Sequence, residues 1–439
     1  MVATIMQFAC GVACLTAVRS ARAESASADK VEEPFAFGDF TWLNGNNRQH
    51  KALLDTPYFT GSVLIDANYT LSTNRPKDNT VVGSTSVVRE NELTLSNISF
   101  GGDLHWGHAR GRVMTQFGTR STVLPSLDAS ANRGQYDLQS AMRYLSEAYA
   151  GYHADVWHGL NIDVGMFMSY VGLLSYNNAE NWSYQPSFTS DNTPWYFNGL
   201  RVQAFPTDKL KLELWVINGW QSYGKFNEQP GLGFQLMWRP EERLSMVTSA
   251  YFGADTRGHP GRVRVHSDSH VQLRYFQKPD APIGRGAFSV TADMGFESGG
   301  GVSAFGDAGP AQNFLSGTVA HRLWFARDQF AWSLSTGFMH NPGRYLVLLP
   351  PGQAGATFDV SPGSRFDAWD ASTTFDWMPD ELQTWRLEFV HRRANVPYFA
   401  GPGGVTSADG YNTSAPDPAW KPDLVKSETR LIAALLLRF

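Results

Sequence analysis

The chain has 439 residues, 42% of them hydrophobic, 13% aromatic and 18% charged, with a formal net charge of −5. Past the N-terminus its longest apolar run is LIAALLL near the C-terminus, far short of the ~20 apolar residues that a membrane-crossing helix needs, so a helical membrane protein is excluded. The mild acidity argues against nucleic-acid binding, which calls for a basic face.

Residues 1–23, MVATIMQFACGVACLTAVRSARA, join an apolar stretch from Val2 to Val18 to Ala21-Arg22-Ala23, an A-x-A cleavage pattern. They predict a secretory signal peptide cut before Glu24. An anchor helix and a lipoprotein signal ending at Cys14 are the alternatives. Both cysteines, Cys10 and Cys14, lie in this stretch, so the mature chain is expected to hold no disulfide or thiolate site. Residues 24–57 form an N-terminal segment without periodicity, expected at or inside the mouth of the following domain as a periplasmic or plug-like piece.

From residue 58 onward the signal is alternation. In YFTGSVLIDANYTLS, residues 58–72, Phe59, Val63, Ile65, Ala67, Tyr69 and Leu71 alternate with Thr60, Ser62, Asp66, Asn68, Thr70 and Ser72. Period two over this length is a strand with one dry and one wet face. The same reading predicts sixteen strands: 58–72, 91–104, 107–119, 143–156, 159–172, 195–206, 209–220, 231–239, 243–254, 264–277, 285–298, 312–326, 328–341, 364–378, 381–395 and 425–439. Their connections alternate between tight turns, such as His105-Trp106 and Pro240-Glu241-Glu242, and long loops, the longest being 120–142, 173–194, 342–363 and 396–424. His105 and His108 are read as turn residues.

An even number of strands with short turns on one side and long loops on the other is the pattern of a transmembrane antiparallel β-barrel. Lipid offers no partner to a backbone N–H or C=O, so a sheet crosses a membrane only when it closes on itself. Sixteen strands leave a bore wide enough for water. Trp106, Trp157, Trp238, Trp324, Trp332, Trp377 and Trp385 all lie near short turns, where an interfacial girdle places them. The fold class is therefore all-β, one barrel spanning 58–439.

Four stretches carry a family resemblance: FGDFTWLNGNNRQ (37–49), LDTPYFTGSVLIDANYT (54–70), NIDVGMFMSYVGLLSYNNAENWSYQPSFTSDNTPWY (161–196) and the segment beginning FPTDKLKLELW (205–240). They resemble the OmpL-like outer-membrane β-barrel porins. The resemblance implies a bacterial outer-membrane pore for small hydrophilic solutes. It brings no catalytic or binding residues with it, and residues 255–424 match by pattern alone. Outer-membrane lipid and small solutes are then the expected partners, with a homo-oligomer expected by analogy to other 16-stranded porins. An outer-membrane barrel enzyme and a secreted, soluble carbohydrate-binding β protein are the rival readings.

The alternation assigns charges of both signs to the lumen: Arg110, Arg112, Arg201, Lys211, Arg274, Arg322 and Arg386 against Glu147, Asp163, Glu213, Asp293 and Glu388, with Asp66 and Glu92 besides. Inward charge sets ion selectivity, and a mixed set leaves its sign open. By analogy with porins whose third external loop narrows the channel, Asn181, Trp182, Tyr184, Asp191 and Trp195 are the constriction candidates. Their rings, set among hydroxyls and amides, suit a sugar-like solute that stacks and hydrogen-bonds. His266, Asp268 and His270 share a strand face compatible with metal ligation, but without a further ligand they read as a polar stripe. No catalytic motif is present, so no enzyme activity, cofactor or metal is expected.

The closing LIAALLLRF places Leu431, Ala433, Leu435 and Leu437 towards lipid, with Arg430 and Arg438 inward. The inward Ile432, Ala434 and Leu436 break the alternation, and packing against the N-terminal segment is the expected reason. A terminal Phe439 on such a strand resembles the signal read by the barrel assembly machinery, a further expected partner.

Overall fold

The computed structural model describes residues 32–415 and 417–439; the predicted signal peptide lies outside the described residues. Among the described residues sixteen long strands form one closed antiparallel sheet. In chain order they are β1 (Phe59–Ser72), β2 (Leu93–Trp106), β3 (Ala109–Thr115), β4 (Leu145–Ala154), β5 (Leu160–Met168), β6 (Tyr196–Thr207), β7 (Leu210–Ile217), β8 (Gly231–Glu241), β9 (Leu244–Gly253), β10 (Val263–Gln277), β11 (Ile283–Ser298), β12 (Asn313–Phe325), β13 (Phe330–Asn341), β14 (Phe366–Trp377), β15 (Gln383–Ala394) and β16 (Ser427–Arg438). Each pairs with its chain neighbours. The barrel shuts where β16 pairs with β1, from Arg430↔Ser72 to Arg438↔Leu64.

The alternation holds around the wall because one face meets lipid and the other a packed interior. On β1, Ser62, Leu64, Asp66, Asn68, Thr70 and Ser72 are buried inside, while Tyr69 and Leu71 are exposed. The predicted girdle is present with one correction. Trp106, Trp157, Trp238, Trp332, Trp377 and Trp385 are exposed, but Trp324 is buried. It sits in step with Arg322 and Ala320, two positions apart on a strand of period two, and packs edge-on against Trp182 inside the barrel. Glu92 also departs from expectation: it precedes β2 and pairs with Arg89 of the first long loop, 2.7 Å away, rather than facing the lumen.

The wall is uneven. β10 and β11 have 15 and 16 residues, whereas β3 and β5 have 7 and 9. Where it is low, the second long loop closes over it, burying Leu124 with Met166, Tyr176, Trp195, Tyr196 and Tyr223.

Ile432, Ala434 and Leu436 are buried, but not against the N-terminal segment as expected. Their neighbours are Val81 and Val87 of the first long loop, Tyr184 of the third, and Val390 on β15. An inward position turns apolar where a loop, rather than water, covers it.

Candidate functional site

The third long loop, residues 169–195, leaves β5 and runs into the lumen. Its path is set by hydrogen bonds to the opposite wall. Asn178 Nδ2 donates to Asp66 Oδ2 at 2.8 Å and the Tyr184 hydroxyl to Asp66 Oδ1 at 2.7 Å. The backbone N–H groups of Tyr184 and Gln185 donate to the two oxygens of Glu388, at 2.6 and 2.9 Å. Phe188 N–H donates to Asp370 at 2.8 Å. Asp191 accepts from Thr85 N–H at 2.8 Å and pairs with Arg392 at 2.9 Å. A loop has backbone groups that water normally satisfies; buried, it needs protein partners, and inward carboxylates on β1, β14 and β15 supply them.

The N-terminal segment occupies the short-turn end of the barrel. Phe40, Trp42 and Leu43 are buried with Trp182, Trp324, Ala287, Ala320, Ala331 and Met378. Trp42 Nε1 donates to the Glu242 carbonyl at 3.0 Å. Asn44 is clasped by Gln272, giving its N–H to Oε1 at 2.8 Å and accepting Nε2 at its carbonyl at 3.1 Å. Its own Oδ1 accepts Trp182 N–H at 2.8 Å, linking segment to loop. At Gly45, φ is +80° and a Cβ would stand 2.3 Å from the Leu173 carbonyl oxygen, so the two chain pieces meet at a point that only glycine allows.

Loop and segment leave space on both sides. A cavity of about 320 Å³ lies between them and the wall of β4 to β10, with Glu147, Arg201, Lys211, Glu213, Gln235 and Arg239 among its lining residues. A second cavity of about 300 Å³, against β11 to β15, is lined by Arg48, Arg285, Arg322 and Arg386 with Glu180, Asp328 and Asp376.

Of the fourteen charges assigned to the lumen, all but Glu92 face inward, mostly as ion pairs. Arg112 bridges Glu147 and Asp103, both at 2.6 Å. Arg201 meets Asp163 at 2.7 Å with Arg110 3.4 Å from the same carboxylate. Lys211 meets Glu213 at 2.6 Å, and Arg274 pairs with Glu242. Arg322 and Arg386 share Asp376 at 2.8 and 2.7 Å. Asp293 stands opposite Asp268 across β10 and β11, 2.8 Å from His266, while His270 is 3.3 Å from Asp268.

The five constriction candidates are all buried in the lumen, and their rings pack on neighbours, with Trp195 and Trp182 each at the edge of a cavity. Trp182 packs on Trp324, the Tyr184 hydroxyl is held by Asp66 and Asn68, and Trp195 lies under Arg120, 5.7 Å from the ring centre.

Charge counting missed Gln203, Gln235 and Gln272, which share the inward alternation, and Arg239, the last residue of the predicted strand 231–239. Arg239 makes no ion pair among the described residues. It lies over Phe35 and Phe40, 4.9 and 4.6 Å from their ring centres, with Nε 3.4 Å from the Ser245 hydroxyl.

A family model described as "Putative beta-barrel porin-2, OmpL-like" matches residues 58–431. No curated protein matches. Among solved structures the chain is similar to in-vitro folded OmpT, an outer-membrane protein of Vibrio cholerae, at 8% identity over 89% of this chain and 100% of that one, with a TM-score of 0.50. It is also similar to an anion-selective porin from Comamonas acidovorans, at 9% identity over 87% and 99%, with a TM-score of 0.50. Likeness at such identities carries the fold.

Proposed function

The chain belongs to the OmpL-like β-barrel porin family, and from that premise of a bacterial outer-membrane porin we propose that its solutes cross along the β4 to β10 side of the lumen. The observation that carries this reading is the cavity of about 320 Å³ beside that wall, bounded on its other side by the third loop and residues 43–46. Its lining alternates cations (Arg201, Lys211, Arg239), carboxylates (Glu147, Glu213) and amides (Gln203, Gln235, Gln272). Such a surface exchanges hydrogen bonds with small hydrophilic solutes of either charge. With Arg239 unpaired, weak preference for anions is expected.

In this reading residues 34–50 are a plug in the periplasmic mouth, since short turns of outer-membrane barrels face the periplasm. The chain is a channel and no enzyme; an activity lost on His270→Ala would overturn that. Insertion by the assembly machinery through Phe439 and assembly into a homo-oligomer belong to the same proposal. Planar-bilayer recordings of the refolded chain test it, with discrete conductance steps and a reversal potential near zero or slightly anion-selective expected. Stable insertion with a silent membrane would defeat it.

A further inference from the structure

The lipid-facing side of the closing seam is graded in chemistry from one tier to the next. Register aligns outward residues of β15, β16 and β1 in rows. Phe389 is opposite Leu431, which is opposite Leu71; all three are exposed, at 49, 42 and 41%. One row below, towards the short turns, Leu387, Ala433 and Tyr69 align. The alanine between two larger side chains makes a furrow. One row above, His391 is opposite Thr429, their Nδ1 and Oγ1 2.7 Å apart, and Thr73 N–H donates to the Thr429 carbonyl at 2.9 Å. Above that, at the long-loop edge, stand Arg393, opposite Ser427, and Arg75. The rows therefore run apolar, neutral polar, cationic. Between them lies a groove of about 990 Å³, lined by Leu71, Phe389, Leu431 and Arg75 among others.

Arg75 lines this groove, and Arg393 heads the β15 side of the same rows. Other arginines near the long-loop rim have partners: Arg89 holds Glu92, Arg365 holds Asp367, Arg344 holds the Asp359 carbonyl, and Arg257 the carbonyls of Ala129 and Ala131. Arg75 and Arg393 are exposed and make no ion pair among the described residues. A carboxylate is nearby, that of Glu90, but it is buried and accepts from Ser72 N–H at 3.1 Å.

We propose that this seam binds a phosphorylated glycolipid of the outer leaflet, with its phosphate on Arg75 and Arg393 and an acyl chain along the furrow over Leu71, Leu431 and Ala433. Guanidinium groups match phosphate oxygens through paired N–H donors. In an outer-membrane barrel the long-loop end is the outward one, so the cationic tier stands at the depth of a lipid headgroup and the apolar tiers at the depth of its chains. A second copy of the chain fits less well, because an apolar protein face would bury both unpaired arginines without a counter-charge.

Native mass spectrometry of the chain refolded in detergent, with lipid A as probe, tests the site. One tightly held lipid A per chain is expected, and R75Q/R393Q is expected to weaken it at least tenfold while the heat-dependent gel shift of the folded barrel is unchanged. Lys225→Gln, on a distant loop, should bind like the parent. A dephosphorylated lipid with the same acyl chains should bind the parent as weakly as lipid A binds the double variant. Should the double variant lose the gel shift, Arg393→Gln alone carries the test, with about a threefold loss expected. Equal binding of the dephosphorylated lipid, or displacement by millimolar inorganic phosphate, overturns the proposal. So does a double variant whose oligomeric mass changes while its lipid count does not, which makes the seam a subunit contact.

Discussion

The two halves of the lumen use the same residue types for different ends. Against β13 to β16 and β1, arginines and carboxylates are sealed beneath the third loop: Arg392, Arg430 and Glu388 have side chains 0–2% exposed, while Arg386 and Asp376, equally buried, edge the smaller second cavity. Against β4 to β10, Arg201, Lys211 and Glu147 keep 11–16% exposure and border a cavity. Inward charge is therefore not in itself a sign of a selectivity element. What decides is whether a carboxylate spends its lone pairs on a buried loop backbone or keeps them towards open space.

Breaking the sealed half should have the largest effect. Asp376→Ala strands two buried arginines, Arg322 and Arg386; removing one partner of a buried pair costs about 3–5 kcal/mol. A clear fall in the thermal midpoint of the detergent-solubilised barrel is expected. Glu388→Ala comes next, because it orphans the N–H groups of Tyr184 and Gln185, at about 1–3 kcal/mol for each buried donor left unsatisfied. The loop should loosen before the wall does, giving a larger and noisier single-channel conductance. Trp42→Ala separates plug from barrel. Trp42 is fully buried, and truncating such a ring costs about 3–5 kcal/mol of packing, here borne by docking of residues 34–50. Conductance should rise with the barrel's midpoint shifting little.

On the open half, Arg239→Gln should leave the midpoint unchanged and move the reversal potential towards cation preference. The smallest effect belongs to the mouth. Glu381 is held below the usual carboxylate range, first by the His50 N–H, 3.0 Å from it. A lowered folded-state value means its contribution is present above the unfolded value near 4.3 and is lost as pH falls through the folded one. Proteolysis of the N-terminal segment should therefore rise slightly below pH 4, and Glu381→Gln should show that rise at neutral pH.

The barrel was legible in the sequence because lipid and packed interior impose opposite demands on alternate residues, and sixteen strands follow from that alone. Face assignment reached individual residues: every assigned charge except Glu92, and the outward Leu431, Ala433, Leu435 and Leu437. Contacts across the lumen were not legible. Nothing local to Tyr184 names Asp66, 118 positions away, as its partner, and nothing in LIAALLLRF says that Val81 and Tyr184 cover its inward side. The same gap hid the surroundings of Trp182, which packs on Trp324 of the wall, and of Trp195, which lies under Arg120 of the second long loop.

The central claim is that solutes pass the β4 to β10 wall and not the sealed one. Residues 24–439 contain no cysteine, so single cysteines report position directly. Gln203→Cys and, on β14, Thr374→Cys, where the buried Thr374 hydroxyl donates to Glu388 at 2.7 Å, each in a planar bilayer with a charged methanethiosulfonate reagent, make the test. Block of the current in Gln203→Cys with none in Thr374→Cys is the predicted result, and block confined to Thr374→Cys would contradict it.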